Sequence, residues 1–190
     1  MRARRALVAF ALSVAGLQPS EPGRASEPEH LRPSSEMTRL YRAFLGEWNV
    51  HESFEVGGSE RGATRDGTAT FREGAGFSLV EDYRSDGTAG ELRFLALFWW
   101  DPGAGAYPLM TCANSRGCAM RGTARWEGDT LVNAWDVVEG GKKVSYRDSF
   151  IDISPRSFRL VSEGVSEGKT VWRVTTRYTR RDGARGGQKK

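Results

Sequence analysis

The chain has 190 residues, which is the size of one domain and barely enough for two. Mean hydropathy of −0.52 and 27% charged residues exclude a polytopic membrane protein. The 23 Gly, 6 Trp, 5 Tyr and 9 Phe favour short strands and tight turns over a helical bundle, and they supply enough apolar surface to exclude a disordered chain. The net charge of +4 comes from the two ends: Arg2, Arg4 and Arg5 give +3, the stretch from Arg180 to Lys190 gives +4, and residues 16–179 are left near −3. A folded region of that charge has no electrostatic footprint for nucleic acid, so no nucleic-acid partner is expected.

Residues 1–15 read as a secretory signal. Arg2, Arg4 and Arg5 form a positive start, Ala6 to Leu12 an apolar run, and Ser13-Val14-Ala15 a small-x-small cleavage site before Gly16. The apolar run is too short to span a bilayer, which takes about 20 residues. No Cys lies near the site, so no lipoprotein anchor is expected. The mature protein is therefore expected in the periplasm or outside the cell. Residues 16–36 hold four of the seven prolines among Ser, Glu and Gly, and read as a disordered linker.

A helix is predicted next. Ser34 or Ser35 can cap it, Met37, Leu40, Tyr41, Phe44 and Leu45 keep helical spacing, and Gly46 stops it. Beyond Gly46 the pattern has period two. Strands are predicted over 47–56, 64–73, 77–84, 91–100, 106–112, 118–126, 130–138, 142–153, 157–163 and 169–179. The segment 91–100 is apolar enough to be buried on both faces, and Asp86-Gly87 reads as a turn. Ten strands joined by short turns, with no crossover helix, predict an all-β antiparallel meander closed into a barrel over residues 37–181, followed by a basic tail over 182–190.

Cys112 and Cys118 flank a turn-like Ala-Asn-Ser-Arg-Gly and would face each other across a hairpin. In an exported protein a structural disulfide is the leading reading. Free thiols, a redox pair or two metal ligands are the alternatives, and two Cys alone make a poor zinc site.

Leu45-Gly46-Glu47-Trp48 directly after a helix resembles the Gly-x-Trp opening of lipocalin-like barrels, the calycins. More closely, the chain resembles a bacterial family named domain of unknown function 1579. The matching pieces are Leu45 to Trp48, Gly74-Ala75-Gly76-Phe77 leading to Glu81-Asp82-Tyr83, Trp100-Asp101 with Tyr107 beyond, and Tyr178 followed by Arg180. The resemblance covers roughly residues 37–181 and implies a lipocalin-like barrel of about ten strands without an established activity. The cysteine hairpin is not part of that pattern. Trp48 would plug the closed end of such a barrel under an Arg of the last strand, Arg177 or Arg180. A related nitrobindin-like barrel binds haem through a histidine. Here His51 falls on the face opposite Trp48, so it should point outward, and no cofactor or metal is expected.

No nucleophile motif is complete: Gly57-Gly58-Ser59-Glu60-Arg61 lacks the last Gly of G-x-S-x-G, and Gly164 to Thr170 is one residue short of a P-loop. Carboxylates on apolar strand faces carry more information. Glu52 shares a face with Trp48, Val50 and Phe54, Glu81 with Phe77, Leu79 and Tyr83, and Asp148 lies between Tyr146 and Phe150. Such charges must be paired or line a wet cavity. Arg173 and Arg177 are candidate partners. Trp99 and Trp100 must point to opposite faces, one into the barrel. The candidate ligand-binding residues are therefore Glu52, Phe54, Glu81, Tyr83, Trp100, Trp135, Tyr146, Asp148 and Arg173. The expected function is binding of a small, hydrophobic molecule. An isomerase or hydrolase using Glu52, Glu81 or Asp148, and a dimerisation module using an outer apolar face, are the other readings.

Overall fold

A computed structural model describes residues 32–56 and 61–181. Its elements follow the chain as one helix and ten strands: α1 (Ser35–Phe44), β1 (Gly46–Val56), β2 (Thr64–Gly74), β3 (Ser78–Gly87), β4 (Leu92–Phe98), β5 (Tyr107–Ala113), β6 (Gly117–Glu127), β7 (Thr130–Glu139), β8 (Lys142–Ile151), β9 (Ser157–Ser166) and β10 (Lys169–Arg180). Each strand pairs antiparallel with the next, and β10 pairs back onto β1, so the sheet closes into a barrel. Closure leaves no unpaired sheet edge. Among the described residues no helix is long and apolar enough to cross a membrane. The predicted leader 1–15, most of the linker, the Gly57-Gly58 turn and the basic tail lie outside the described residues.

Helix α1 forms because its start and its apolar face are both specified. The Ser34 hydroxyl accepts from the Met37 N–H at 3.1 Å, and Met37, Leu40, Tyr41 and Phe44 are all buried. The helix includes Ser35 and Glu36, which the sequence reading had left in the linker. Ser34→Ala should cost about 1 kcal/mol, since it removes one cap. Chemical denaturation checks this, and an unchanged midpoint would show that the cap is idle.

The helix closes one end of the barrel. Phe44 meets Phe158, Phe150 and Phe71 at ring separations of 5.1, 5.3 and 5.7 Å. Trp48 is 0% exposed, donates from its indole nitrogen to the Phe44 carbonyl at 2.8 Å, and meets the edge of Phe158 at 4.8 Å. The Arg180 guanidinium lies 4.3 Å above the Trp48 ring and donates to the Leu45 carbonyl at 3.0 Å. Of the two arginines expected there, Arg180 takes the place, and Arg177 sits opposite His51 on the outside. Gly46 is required: its φ is +131°, and a Cβ would overlap the Arg180 guanidinium.

Four local expectations need correction. β4 is not buried on both faces: Leu95 is 37% exposed, because no described residue covers the outer face of this barrel wall there. Asp86 and Gly87 are not the turn; they pair with Asp66 and Arg65, and the chain reverses at Thr88 to Gly90 instead. Phe77 is not in a strand; it ends a short 3-10 turn with φ +57°, and β3 starts at Ser78. Finally, Trp99 and Trp100 are not in the strand, and Trp100 packs half-buried against the core cluster. β4 ends at Phe98, whose buried side chain is the last to point inward.

Cys112 and Cys118 are cross-strand partners at the tip of the β5–β6 hairpin and are disulfide-bonded. Such bonds persist in non-reducing, extracellular-type environments. So small a ring should stabilise by about 2–3 kcal/mol. Reduction should therefore lower the unfolding midpoint yet leave the far-ultraviolet circular dichroism of a barrel. Loss of that signal on reduction would give the disulfide a larger share of the fold.

Candidate functional site

Alternation along each strand sorts residues into an inner and an outer set. In the half nearest α1 the inner residues are buried and aromatic or aliphatic: Leu79, Phe98, Leu131, Phe150, Phe158 and Tyr178 are each at most 4% exposed. The other half differs. There Phe94, Thr111, Arg121, Trp135, Tyr146, Asp148 and Trp172 face inward but are only half-buried. Solvent therefore reaches the barrel interior from the end opposite the helix.

Between the two halves lies a polar layer. Glu52 points inward from β1 and is 4% exposed. Its carboxylate receives Arg65 Nη1 at 2.9 Å, the Ser85 hydroxyl at 3.1 Å and the Tyr83 hydroxyl at short range. Arg65 also donates to the Ala89 carbonyl and lies over the Phe54 ring at 4.9 Å. Burial, followed by the Glu52 charge, holds the Tyr83 phenol far above its ordinary value, so it stays a donor. The Glu52 carboxylate is fully engaged, although Arg65 Nε has no hydrogen-bond partner among the described residues, and the group reads as structure: the charge predicted to need a partner has one. The partner is Arg65, not Arg173 or Arg177.

Glu81 has no such partner. It is 3% exposed, and the buried Tyr178 hydroxyl donates to it at 3.1 Å. Burial pushes its pKa up to about 8; Tyr178 opposes this and the charge of Asp148 adds to it. Asp148 faces Asn133 on β7 and Ser162 on β9 across the ladder. Burial pushes its pKa up to about 6, against the opposing pull of Ser162, Asn133 and Arg121. Asn133 stands close enough to favour the Asp148 charge but out of hydrogen-bonding geometry, since both atoms of its amide are unpartnered. Burial therefore favours the protonated form of both carboxyls, that of Glu81 the more strongly.

Toward the open end sits a rung of aromatic rings. Trp135 and Tyr146 stack at 5.3 Å with 12° between planes, and Trp172 meets Tyr146 at 6.0 Å. Gly164, opposite Tyr146, lets that ring lie flat against the wall, because a Cβ there would come within 2.9 Å of it. Tyr83 stacks on Phe94 at 4.4 Å.

Of the residues expected to bind a ligand, Glu52, Phe54, Glu81, Tyr83, Trp135, Tyr146 and Asp148 all face the interior. Two do not. Arg173 is on the outer wall, bound to Glu163 and near Glu55, because the inward set of β10 is Trp172, Val174, Thr176 and Tyr178. Trp100 lies beyond β4, against Tyr107 at 5.1 Å, and lines a recess of about 360 Å³ beside α1 with Glu36, Arg39, Arg125 and Trp126. The sequence reading missed Arg65, Arg121, Asn133, Ser162 and Tyr178. Period two would have found most of them: Asn133 falls between Leu131 and Trp135, and Arg65 lies on the face of Ala69 and Phe71. His51 is on the outside, half-exposed and paired with Asp66 at 2.7 Å, so it offers no ligand to the interior.

No protein-family model matches the sequence, and no curated protein matches it. Designed proteins are among the solved structures with a similar strand arrangement. A de novo designed fluorescence-activating β-barrel is 11% identical with a TM-score of 0.42, over 75% of this chain and 97% of that one. A redesigned β-barrel bound to DFHBI is 12% identical with a TM-score of 0.41, over 73% and 99%. A second redesigned barrel bound to DFHBI is 14% identical at the same TM-score and coverage.

Proposed function

We propose that the protein is an exported carrier that holds a small molecule, largely apolar, in the open half of its barrel. The observation that carries this reading is the contrast between the two halves: a plugged, aromatic end and an end whose inward residues solvent reaches. An apolar, aromatic wall with a few placed polar groups is the usual make-up of a ligand pocket. The disulfide and the Arg-rich, apolar first 15 residues support export. Gly46 and Trp48 beneath Arg180 support membership of the lipocalin-like family named domain of unknown function 1579. Native mass spectrometry of protein recovered from the periplasm is the test. A bound mass, a chain starting near Gly16, and fluorescence enhancement of anilinonaphthalene sulfonate are expected. A bare protein that leaves the dye dark would overturn the carrier reading.

The enzyme reading has narrower support. Glu52 is committed to Arg65, Tyr83 and Ser85, which leaves Glu81 and Asp148 as two buried carboxyls whose pKa values are raised to different extents, the pattern of an acid and a base. A bound compound that converts to a new mass on incubation would favour it. The dimer reading draws on Leu95, Met120, Val138 and Val171, the exposed large apolar side chains, and sedimentation at two concentrations reads it.

A further inference from the structure

The recess of about 360 Å³ beside α1 lies at the closed end, and none of the inward residues of the open half lines it. Its walls come from four places in the chain: Arg39 from α1, Trp100 just beyond β4, Tyr107 from β5, and Arg125 and Trp126 from β6. Ligand pockets run from roughly 300 to 1,000 Å³, so the space suits a small, two-ring compound. The polar groups on the walls are mostly donors. Arg39 donates to the Gly128 carbonyl at 2.6 Å and lies 4.0 Å from the centre of the Trp126 ring. Arg125 donates to the Ala104 carbonyl at 3.2 Å. A guanidinium carries five N–H donors, so each keeps several to spare. Neither has a carboxylate partner among the described residues. The Tyr107 hydroxyl is occupied: it donates to the Glu36 carbonyl and accepts from the Trp126 indole. The one charged acceptor on the walls is Glu36, and its carboxylate already takes the Ser35 hydroxyl at 2.9 Å. Asp101, in the neighbouring turn, is held by the Gly103 and Ala104 N–H groups. Two cations against one anion leave the recess with one positive charge unanswered.

We propose that this recess is a second binding site, for an aromatic carboxylate whose acid group meets Arg39 and Arg125 and whose ring lies against Trp100. Trp100 and Tyr107 form an aromatic corner, with ring centres 5.1 Å apart and planes at 58°. Tyr107 is 1% exposed, so the half-buried Trp100 is the ring that an occupant can cover. A cation would be repelled by the two guanidiniums. A neutral apolar compound would cover the ring and leave the excess charge unanswered. A small inorganic anion would answer the charge and leave the indole in water. A planar acid does both. Its carboxylate accepts charge-assisted hydrogen bonds from guanidinium forks already steadied by backbone carbonyls, and its ring gains from packing on indole. The site is separate from the open half of the barrel and takes a ligand of opposite character to an apolar cargo.

The probe is 2-naphthoate, titrated into the intact protein and followed by calorimetry. 2-Naphthamide keeps the rings and loses the charge, and acetate keeps the charge and loses the rings. Wild-type protein should bind 2-naphthoate at least tenfold more tightly than either. Arg125 is exposed, so Arg125→Gln should keep the melting temperature. It should lose at least tenfold in 2-naphthoate affinity, with 2-naphthamide binding unchanged. Equal binding of 2-naphthoate and either comparator would overturn the proposal, and that comparison needs no variant to fold. Binding of 2-naphthoate that Arg125→Gln leaves intact would overturn it too, because the acid would then sit elsewhere, as in the open half of the barrel. So would a failure of 2-naphthoate to bind at all, which would leave the two arginines as solvated surface.

Discussion

Trp48→Ala should be the most damaging single truncation at the closed end, and His51→Ala three positions along the same strand should be nearly silent. Trp48 is fully buried, hydrogen-bonded to the helix end and covered by Arg180. Truncating such a residue removes its transfer free energy and leaves a cavity, a loss of about 3–5 kcal/mol. A domain of this size has only about 5–15 kcal/mol in total. The His51 side chain is 53% exposed and its partner Asp66 75% exposed, so the pair is worth under about 1 kcal/mol. Urea denaturation of both variants, followed by tryptophan-independent circular dichroism, decides the matter. Comparable losses would mean that the two faces of β1 carry similar weight, contrary to the burial described above.

The barrel was legible because every strand from β1 to β10 announces itself in the same way. A period-two run is bounded by a short turn, with a glycine in most of them but not between β8 and β9, and no segment between the runs is long enough for a crossover helix. Trp48 was legible under either Arg177 or Arg180, since a helix stop at Gly46 sets the parity of β1. What the sequence hides is parity where both faces of a strand are mixed. On β10 the inward set is Trp172, Val174, Thr176 and Tyr178, while Val171 is 44% exposed and Arg173 pairs outward with Glu163. Thr and Val occupy both faces there, so no residue type separates them, and a bulge between Thr170 and Trp172 shifts the count further. Trp100 escaped for another reason. The apolar run continues past Phe98, but strand pairing with β5 ends there, and hydrophobicity does not say where a ladder stops.

The polar layer was half legible for a related reason. Glu52, Glu81 and Asp148 stood out as charges on apolar faces. Arg65 did not, because it sits in a stretch rich in polar residues, and Asn133 did not, because it carries no charge to mark it on an apolar face. A buried Arg among Thr, Asp and Gly looks like surface until the register puts it opposite Glu52. Pairing also separates the three carboxyls by role: Glu52, ion-paired with Arg65, is part of the frame, while burial pushes Glu81 and Asp148 toward their protonated forms.

That adjustability should make the protein lose stability as pH rises toward 8. Glu81 has an ordinary value near 4.5 in the unfolded chain and about 8 in the folded one. Below about pH 4.5 it is protonated in both states and contributes nothing to the difference. Between the two values the folded protein holds a proton that the unfolded chain releases, so stability falls with each step in pH. Above about 8 the carboxyl is ionised in both states and the full penalty of a buried, cation-free charge is present. Each pKa step is worth about 1.4 kcal/mol, so the fall across this window amounts to at most about 4–5 kcal/mol. Asp148 acts in the same direction over a lower window, from 3.8 to about 6, so the descent starts there. Glu81→Gln keeps an oxygen for the Tyr178 hydroxyl and cannot ionise. Denaturation at about pH 5 and about pH 8.5 should show the wild-type protein losing several kcal/mol more than this variant, with the variant the more stable of the two at the higher pH. Parallel slopes would mean that Glu81 shares its ionisation with a cation after all. The polar layer would then be a closed ion-pair network, with no carboxyl left to meet a ligand.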